Sequence, residues 1–256
     1  MASIGCVHEA AVWSVKAGDM MRRIDPATAV ERYLNAVSLY CELGRFYTAA
    51  NIERDVAEMV LEDGNVEEAQ QHFRQASDYY NGDNVIDQAQ LCLLQVGMLA
   101  ASQGNFDLAT ETFEQVARND VEHNLRRGNV PDILLRAGLC QLAAGGPIRK
   151  GLKSHKVLRF YLKKWPTIDY TFAYSREKLF LTNLLAIIPE LDLAAFADHI
   201  YNFDNVAGLD EWCLRMLNRV KEDIEEEIDR IEKARIKEEL KAKRLQDQLA
   251  GLARPD

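Results

Sequence analysis

Ala29, Ala69 and Ala109 recur at intervals of 40 residues, and so do Tyr33, Phe73 and Phe113, followed by Ala36, Ala76 and Val116. A small residue and a ring repeated at fixed separation mark a chain folded as stacked copies of one supersecondary unit. The second and third copies share a longer motif. Gly64-Asn65-Val66-Glu67-Glu68-Ala69 and Gly104-Asn105-Phe106-Asp107-Leu108-Ala109 both run on to an aromatic residue and then to Gln75-Ala76 or Gln115-Val116. Each glycine suits the left-handed position that closes a helix, and each asparagine suits the N-cap that opens the next. Asp25-Pro26 takes that place in the first copy, with Asp as cap and Pro in the first turn.

On a helix the alanine and the ring four residues later share one face, so the small side chain admits a neighbouring helix and the ring fills the gap beside it. Apolar periodicity at about 45–63, 84–103 and 130–144 supplies the second helix of each unit. The unit is therefore an antiparallel hairpin, longer than the roughly 34 residues of a tetratricopeptide repeat but of the same type. After about residue 145 the period fades, and helical patterns continue at about 150–165 before Pro166, at 175–188 before Pro189 and at 190–202. From Leu209 to about Ala250 no Pro or Gly interrupts a run rich in Glu, Lys and Arg, which predicts one long exposed helix. Its first turns carry an apolar stripe of Trp212, Met216, Val220 and Ile224 that should dock; past Ile231 the stripe thins and the rest should project and fray. No sustained period-two alternation predicts a strand. The reading is all-α: tetratricopeptide-like stacked hairpins over 1–145, a C-terminal helical bundle over 146–208, and a docked then projecting charged helix over 209–256.

Of the 256 residues 48% are apolar, enough for a continuous core, and the net charge of −9 argues against a general nucleic-acid binder. No apolar run is long enough to span a membrane and no secretory signal opens the chain, which predicts a cytoplasmic protein. Cys6, Cys41, Cys92, Cys140 and Cys213 form no CxxC pair and are expected as buried thiols. No cofactor or metal is expected. The segment 146–154 resembles a phosphate-binding loop, but Leu152 separates Gly151 from Lys153 and the preceding segment is helical. None of the five histidines stands in metal-ligand spacing, and no Gly-x-Ser-x-Gly elbow occurs. The chain reads as a binding protein without catalysis, and His72 as a packed or surface histidine.

Charge is uneven. Between Leu134 and Ile168 lie Arg136, Arg149, Lys150, Lys153, Lys156, Arg159, Lys163 and Lys164 with no acid among them. From Lys150 to Lys163 the spacing keeps much of this charge on one helical face, either solvated or a docking surface for an acidic partner. The final helix carries Glu222, Asp223, Glu225, Glu226 and Glu227, a solvated face or a surface for a basic partner.

Several blocks together resemble the alpha- and beta-type soluble NSF attachment proteins, NSF being the N-ethylmaleimide-sensitive fusion ATPase. They are Asp25-Pro26 with Ala29, Gly44-Arg45-Phe46 with Ala49-Ala50, and Gln75-Ala76-Ser77-Asp78-Tyr79-Tyr80 with Gly82. Cys92-Leu93-Leu94, Phe113-Glu114-Gln115-Val116, Ser175-Arg176-Glu177 and Leu209-Asp210 with Trp212, Met216-Leu217, Arg219 and Ile224 complete them. The resemblance implies a twisted layer of hairpins with a C-terminal bundle, and an adaptor that coats an assembled SNARE bundle and recruits the AAA ATPase. Membrane association would be peripheral, through partners. Arg45 matches a family basic contact, whereas Asn51, Leu91 and Gln95 stand where the family has lysines, so Lys150, Lys153, Lys156 and Lys163 are taken as the substitute SNARE-binding charge. For the ATPase, Glu190 matches a family acid while Ala186 and Pro189 do not; Glu222, Asp223, Glu225 and Glu226 supply the other candidates, and Leu252 stands in for the family's terminal leucine. The chain begins partway into the family's hairpin pattern and runs past its usual end, as a shortened or diverged member would. The competing expectation is a generic helical-repeat scaffold for peptides or helices of another assembly pathway.

Overall fold

The computed structural model describes the backbone of residues 2–125, 127–145 and 148–252, with side chains except those of 2–4, 127, 148–155 and 244–252. Among the described residues the structure is helical without a strand. The helices are α1 (Ala2–Met21), α2 (Pro26–Glu42), α3 (Phe46–Glu62), α4 (Val66–Gly82), α5 (Ile86–Ser102), α6 (Phe106–Glu122) and α7 (Val130–Ala143). They continue as α8 (Ile148–Lys164), α9 (Arg176–Ile187), α10 (Leu193–Ala207) and α11 (Glu211–Leu252), with short 3₁₀ turns at Trp165–Thr167, Tyr170–Tyr174 and Ile188–Glu190. Helix α1 was not assigned by the repeat, which begins at α2.

The turns explain the period. Gly64 and Gly104 sit at φ +85° and +79°, and Asn65 and Asn105 accept the backbone N–H groups of Glu68 and Leu108 at 3.4 Å. The alternate turns carry the same device with Gly44, Asn84 and Asn124 at φ +67°, +59° and +53°. At all five turns the next N–H reaches back to a carbonyl five residues earlier, as Asn65 does to Val60 at 3.1 Å and Val85 to Tyr80 at 2.9 Å, closing the helix in a Schellman arrangement. Sharp, identical turns force each helix back along its predecessor, which is what a stacked layer requires.

Between the turns, Ala29, Ala69 and Ala109 are fully buried, as are Tyr33, Phe73 and Phe113 to within a few per cent. The rings need bare backbone opposite them: a Cβ on Gly97 would lie 2.9 Å from the Phe113 ring, and one on Gly18 would lie 2.8 Å from that of Tyr33. A ring buried like this is worth about 3–5 kcal/mol against alanine. One cluster of buried side chains runs without interruption from Leu93 in α5 through α6, α7 and α9 to Ile224 in α11, and a second holds α2 to α5 together.

The stripe on α11 docks: Trp212, Cys213, Met216, Leu217, Val220 and Ile224 are all buried, and Trp212 lies edge-on to Phe113 with ring centroids 5.7 Å apart. Beyond Ile228, which still packs against the core, the described side chains stand in solvent, and the helix continues to Leu252. Ion pairs one turn apart, Lys233 with Asp229 and Arg235 with Glu239, both at 2.9 Å, supply local support there. Cys92, Cys140 and Cys213 are buried thiols, and burial pushes those of Cys92 and Cys140 up to about 11 and about 12. Contrary to expectation Cys6 is exposed on α1, and Cys41 is only half-buried, near the end of α2 beside Tyr79. No described helix is long and apolar enough to cross a membrane.

Helices α3 and α4 are joined by a buried polar pair: His72 Nδ1 lies 2.7 Å from the carboxylate of Glu53, itself nearly inaccessible. The hydrogen bond to Glu53 raises the His72 pKa from its ordinary value, against the opposing effect of burial. The folded state thus holds the proton more tightly than the unfolded chain. The resulting stability is complete below the ordinary histidine pKa and is lost as pH rises through the raised value. Urea unfolding of the wild type and of His72→Gln should therefore differ more at about pH 6 than at about pH 9; a difference that does not change with pH would mean that no charged histidine joins the hairpin.

Candidate functional site

The acid-free stretch becomes α8, whose placement depends on its C-terminal end. Trp165 is wholly buried and its indole N–H donates to Glu114 of α6 at 2.7 Å, while Lys164 Nζ donates to the other carboxylate oxygen at 2.8 Å and Arg118 to the same oxygen at 3.3 Å. Tyr161 stacks on Trp165, and Trp165 meets Phe172 edge-on. With Leu158 and Leu162 in the core, this anchor turns the remaining face of α8 outward, where Lys156, Arg159 and Lys163 are exposed around Phe160, itself 63% accessible. The side chains of Lys150 and Lys153 lie outside the described residues, and so do all of those of 146–154, the segment that resembles a phosphate-binding loop; from Ile148 onward its backbone is helix α8 and not a loop.

The structure subtracts two charges from the stretch. Lys164 is held by Glu114, and Arg136 donates to Asp132 at 3.3 Å and Asp210 at 2.7 Å, beneath the Trp212 ring. These two cations join helices, Lys164 to α6 through Glu114 and Arg136 to the start of α11 through Asp210, so their charge is spent inside the fold. The fold also adds a cation that the sequence reading missed. Lys178 of α9 faces the same groove as Arg159 and Lys163. Its neighbour Glu177 concealed it in sequence, but that acid turns inward and pairs with Arg176 at 2.7 Å. Arg45 is exposed at the N-terminus of α3, at the α2–α3 turn, with α3 to α7 between it and α8. Asn51 accepts a hydrogen bond from the Tyr80 hydroxyl at 2.7 Å, a structural use of that position. Leu91 and Gln95 line a cleft of about 590 Å³ across α3, α5 and α7 together with Arg54 and Arg136.

The acidic candidates separate as well. Glu222, Glu225 and Glu226 are exposed on α11, with Glu225 3.2 Å from Lys221 and Glu222 accepting from Asn218 at 3.0 Å. Asp223 is half-buried; burial raises its pKa, Arg219 opposes this, and Glu226 and Glu222 add to the rise. Glu227, expected on the outer face, is buried and bonded to Arg230, because the helical register places it beside the docked stripe. Glu190 is exposed on the 3₁₀ turn before α10, and no hydrogen bond or ion pair among the described residues ties it to the acids of α11. The side chain of Leu252 lies outside the described residues.

The sequence model for "Soluble NSF attachment protein, SNAP" matches residues 2–225, from α1 to the docked part of α11. The chain belongs to the soluble NSF attachment protein family. The beta-soluble NSF attachment protein of Bos taurus is 31% identical over 85% of this chain and 70% of its own length. The alpha-soluble NSF attachment protein of Vitis vinifera is 30% identical over 85% and 72%. The probable vesicular-fusion protein sec17 homolog of Schizosaccharomyces pombe is 32% identical over 86% and 74%. The attachment-protein match stops within α11, so the exposed part of that helix after Glu225 lies outside it.

The Glu114 anchor is open to test. Glu114→Ala leaves the buried Trp165 N–H without an acceptor, and stability should fall by about 1–3 kcal/mol. Glu114→Gln, which keeps an acceptor oxygen, should cost less. Unfolding monitored by tryptophan fluorescence measures both; equal losses for the two variants would deny the indole bond its role.

Proposed function

We propose that this chain is an adaptor in SNARE disassembly, which binds assembled SNARE bundles and brings an NSF-type AAA ATPase to them. The observation that carries the reading is the family match across the hairpin layer, the C-terminal helices and the docked start of α11. The relatives' names speak of NSF attachment and of vesicular fusion, which supports the reading. In this reading catalysis belongs to the ATPase, and the adaptor needs no cofactor. It works in the cytoplasm, peripheral to trafficking membranes, held there by its partners.

We assign the parts as follows. The layer, 1–145, and the bundle, 146–208, receive the SNARE bundle. Arg45, Lys150, Lys153, Lys156 and Lys163 supply positive charge to an acidic helical surface, which speeds encounter and fixes orientation. The final segment, 209–256, receives the ATPase. Glu222, Asp223, Glu225 and Glu226 form its negative face, with Glu190 and Leu252 as further contacts. Exposed pairs contribute about 0–1 kcal/mol each, so recruitment should depend on several acids together and weaken with salt.

Immobilised protein should capture an assembled SNARE bundle in preference to its separate strands, whereas a generic peptide-binding scaffold would not distinguish them. Lys156→Glu with Lys163→Glu should slow association and flatten its salt dependence without changing ATPase recruitment. Joint neutralisation of Glu222, Asp223, Glu225 and Glu226 should do the reverse, sparing SNARE capture. Equal capture of bundle and strands contradicts the adaptor role; unchanged rates in the lysine variant at low salt remove α8 from the contact.

A further inference from the structure

Between α8 and α9 runs an open trough of about 510 Å³. Its floor is apolar, made by Leu162 and Leu185, both almost wholly buried, with the small Ala186 at the mouth. Its rims are cationic: Arg159 and Lys163 stand on the α8 side and Lys178 on the α9 side, and among the described residues no acid lines it. Among the described residues none of these three cations meets a carboxylate; Lys178 donates only to the carbonyl of Ala173, at 3.5 Å. That is unusual in a chain of net charge −9, in which Lys164 and Arg136 nearby are consumed by internal acids.

An apolar strip bracketed by unpaired cations calls for an occupant with an apolar ridge and flanking negative charge. The spacing decides which kind. Arg159 and Lys163 are one helical turn apart on α8, about 6 Å along its axis, and the α9 side from Lys178 to Ala186 runs for about 12 Å, just over two turns of helix. A partner helix presents carboxylates on the same pitch, with apolar side chains between them. A phospholipid would instead gather its negative charge at one end and need a longer channel for its acyl chain.

We propose that the α8–α9 trough seats one acidic helix of the partner bundle, an apolar side chain resting on Leu162 and Leu185 and carboxylates bonding Arg159, Lys163 and Lys178. The site rests on the adaptor reading and narrows it: recognition on this side is by a fitted groove, with shape as well as charge. A merely electropositive face would tolerate any filling of the trough, whereas a groove would not.

Capture of an assembled SNARE bundle by immobilised chain tests both readings separately. Ala186→Trp fills the mouth and leaves every charge in place; it should weaken binding at least about tenfold at all salt concentrations. Arg159→Gln with Lys178→Gln leaves the trough open and should weaken binding chiefly at low salt, with a shallower salt dependence. Lys237→Gln, on the exposed part of α11, should bind like the wild type. Circular dichroism and thermal unfolding establish that each variant is folded, and if Ala186→Trp is not, the charge variant decides. Wild-type binding that fails overturns both the adaptor reading and the groove. Intact wild-type binding with the variants within about twofold of it overturns the groove alone. If instead the variants lose affinity for phosphatidylserine vesicles while keeping SNARE capture, the trough is a lipid site and the proposal is wrong.

Discussion

A buried ring set against a residue with little or no side chain recurs through this molecule, and the rest of the structure depends on that contact. Phe113 against Gly97 and Tyr33 against Gly18 allow neighbouring helices to approach closely, and fully buried alanines at 29, 69 and 109 extend the same close contact along the layer. Close approach keeps the units in register, and the left-handed residue at each turn returns the chain at the right angle for the next contact. The layer then presents α6 as a wall against which α8 is fastened by the Glu114–Trp165 bond. Only with α8 held there do Lys156 and Lys163 point outward and does its far edge form a trough with α9.

Much of this was legible in the chain. Gly64-Asn65 and Gly104-Asn105 gave the turns and Ala–Phe spacing gave the faces, because backbone caps and helical periodicity are local physics. The alternate turns were equally regular, with Gly44, Asn84 and Asn124 also 40 residues apart, but asparagine in a left-handed turn is less conspicuous than glycine. Helix α1 escaped because it precedes the first complete repeat.

The exposed positive charge was only partly legible, because its availability depends on the fold. Whether a cation is available depends on which acid the fold brings to it. Lys164 and Arg136 look free in sequence and are held by Glu114, Asp132 and Asp210. Lys178 looks neutralised by Glu177 and is available, since Glu177 turns inward to Arg176. Glu227 looks like one more acid of an outer face and is buried beside the α11 stripe. For Lys164 and Arg136 the deciding acids, Glu114 and Asp210, come from other segments, and for Glu177 and Glu227 the packing of the helix decides which side faces inward.

The central claim is that this chain couples a SNARE substrate to its disassembly ATPase. Its most direct test is the ATP turnover of the N-ethylmaleimide-sensitive ATPase, measured with assembled SNARE bundle present, before and after addition of this protein. The account predicts a rise in turnover that needs both the bundle and the added chain and is accompanied by release of separate strands. Turnover that stays at its basal rate, although the chain is folded and in excess, would contradict it.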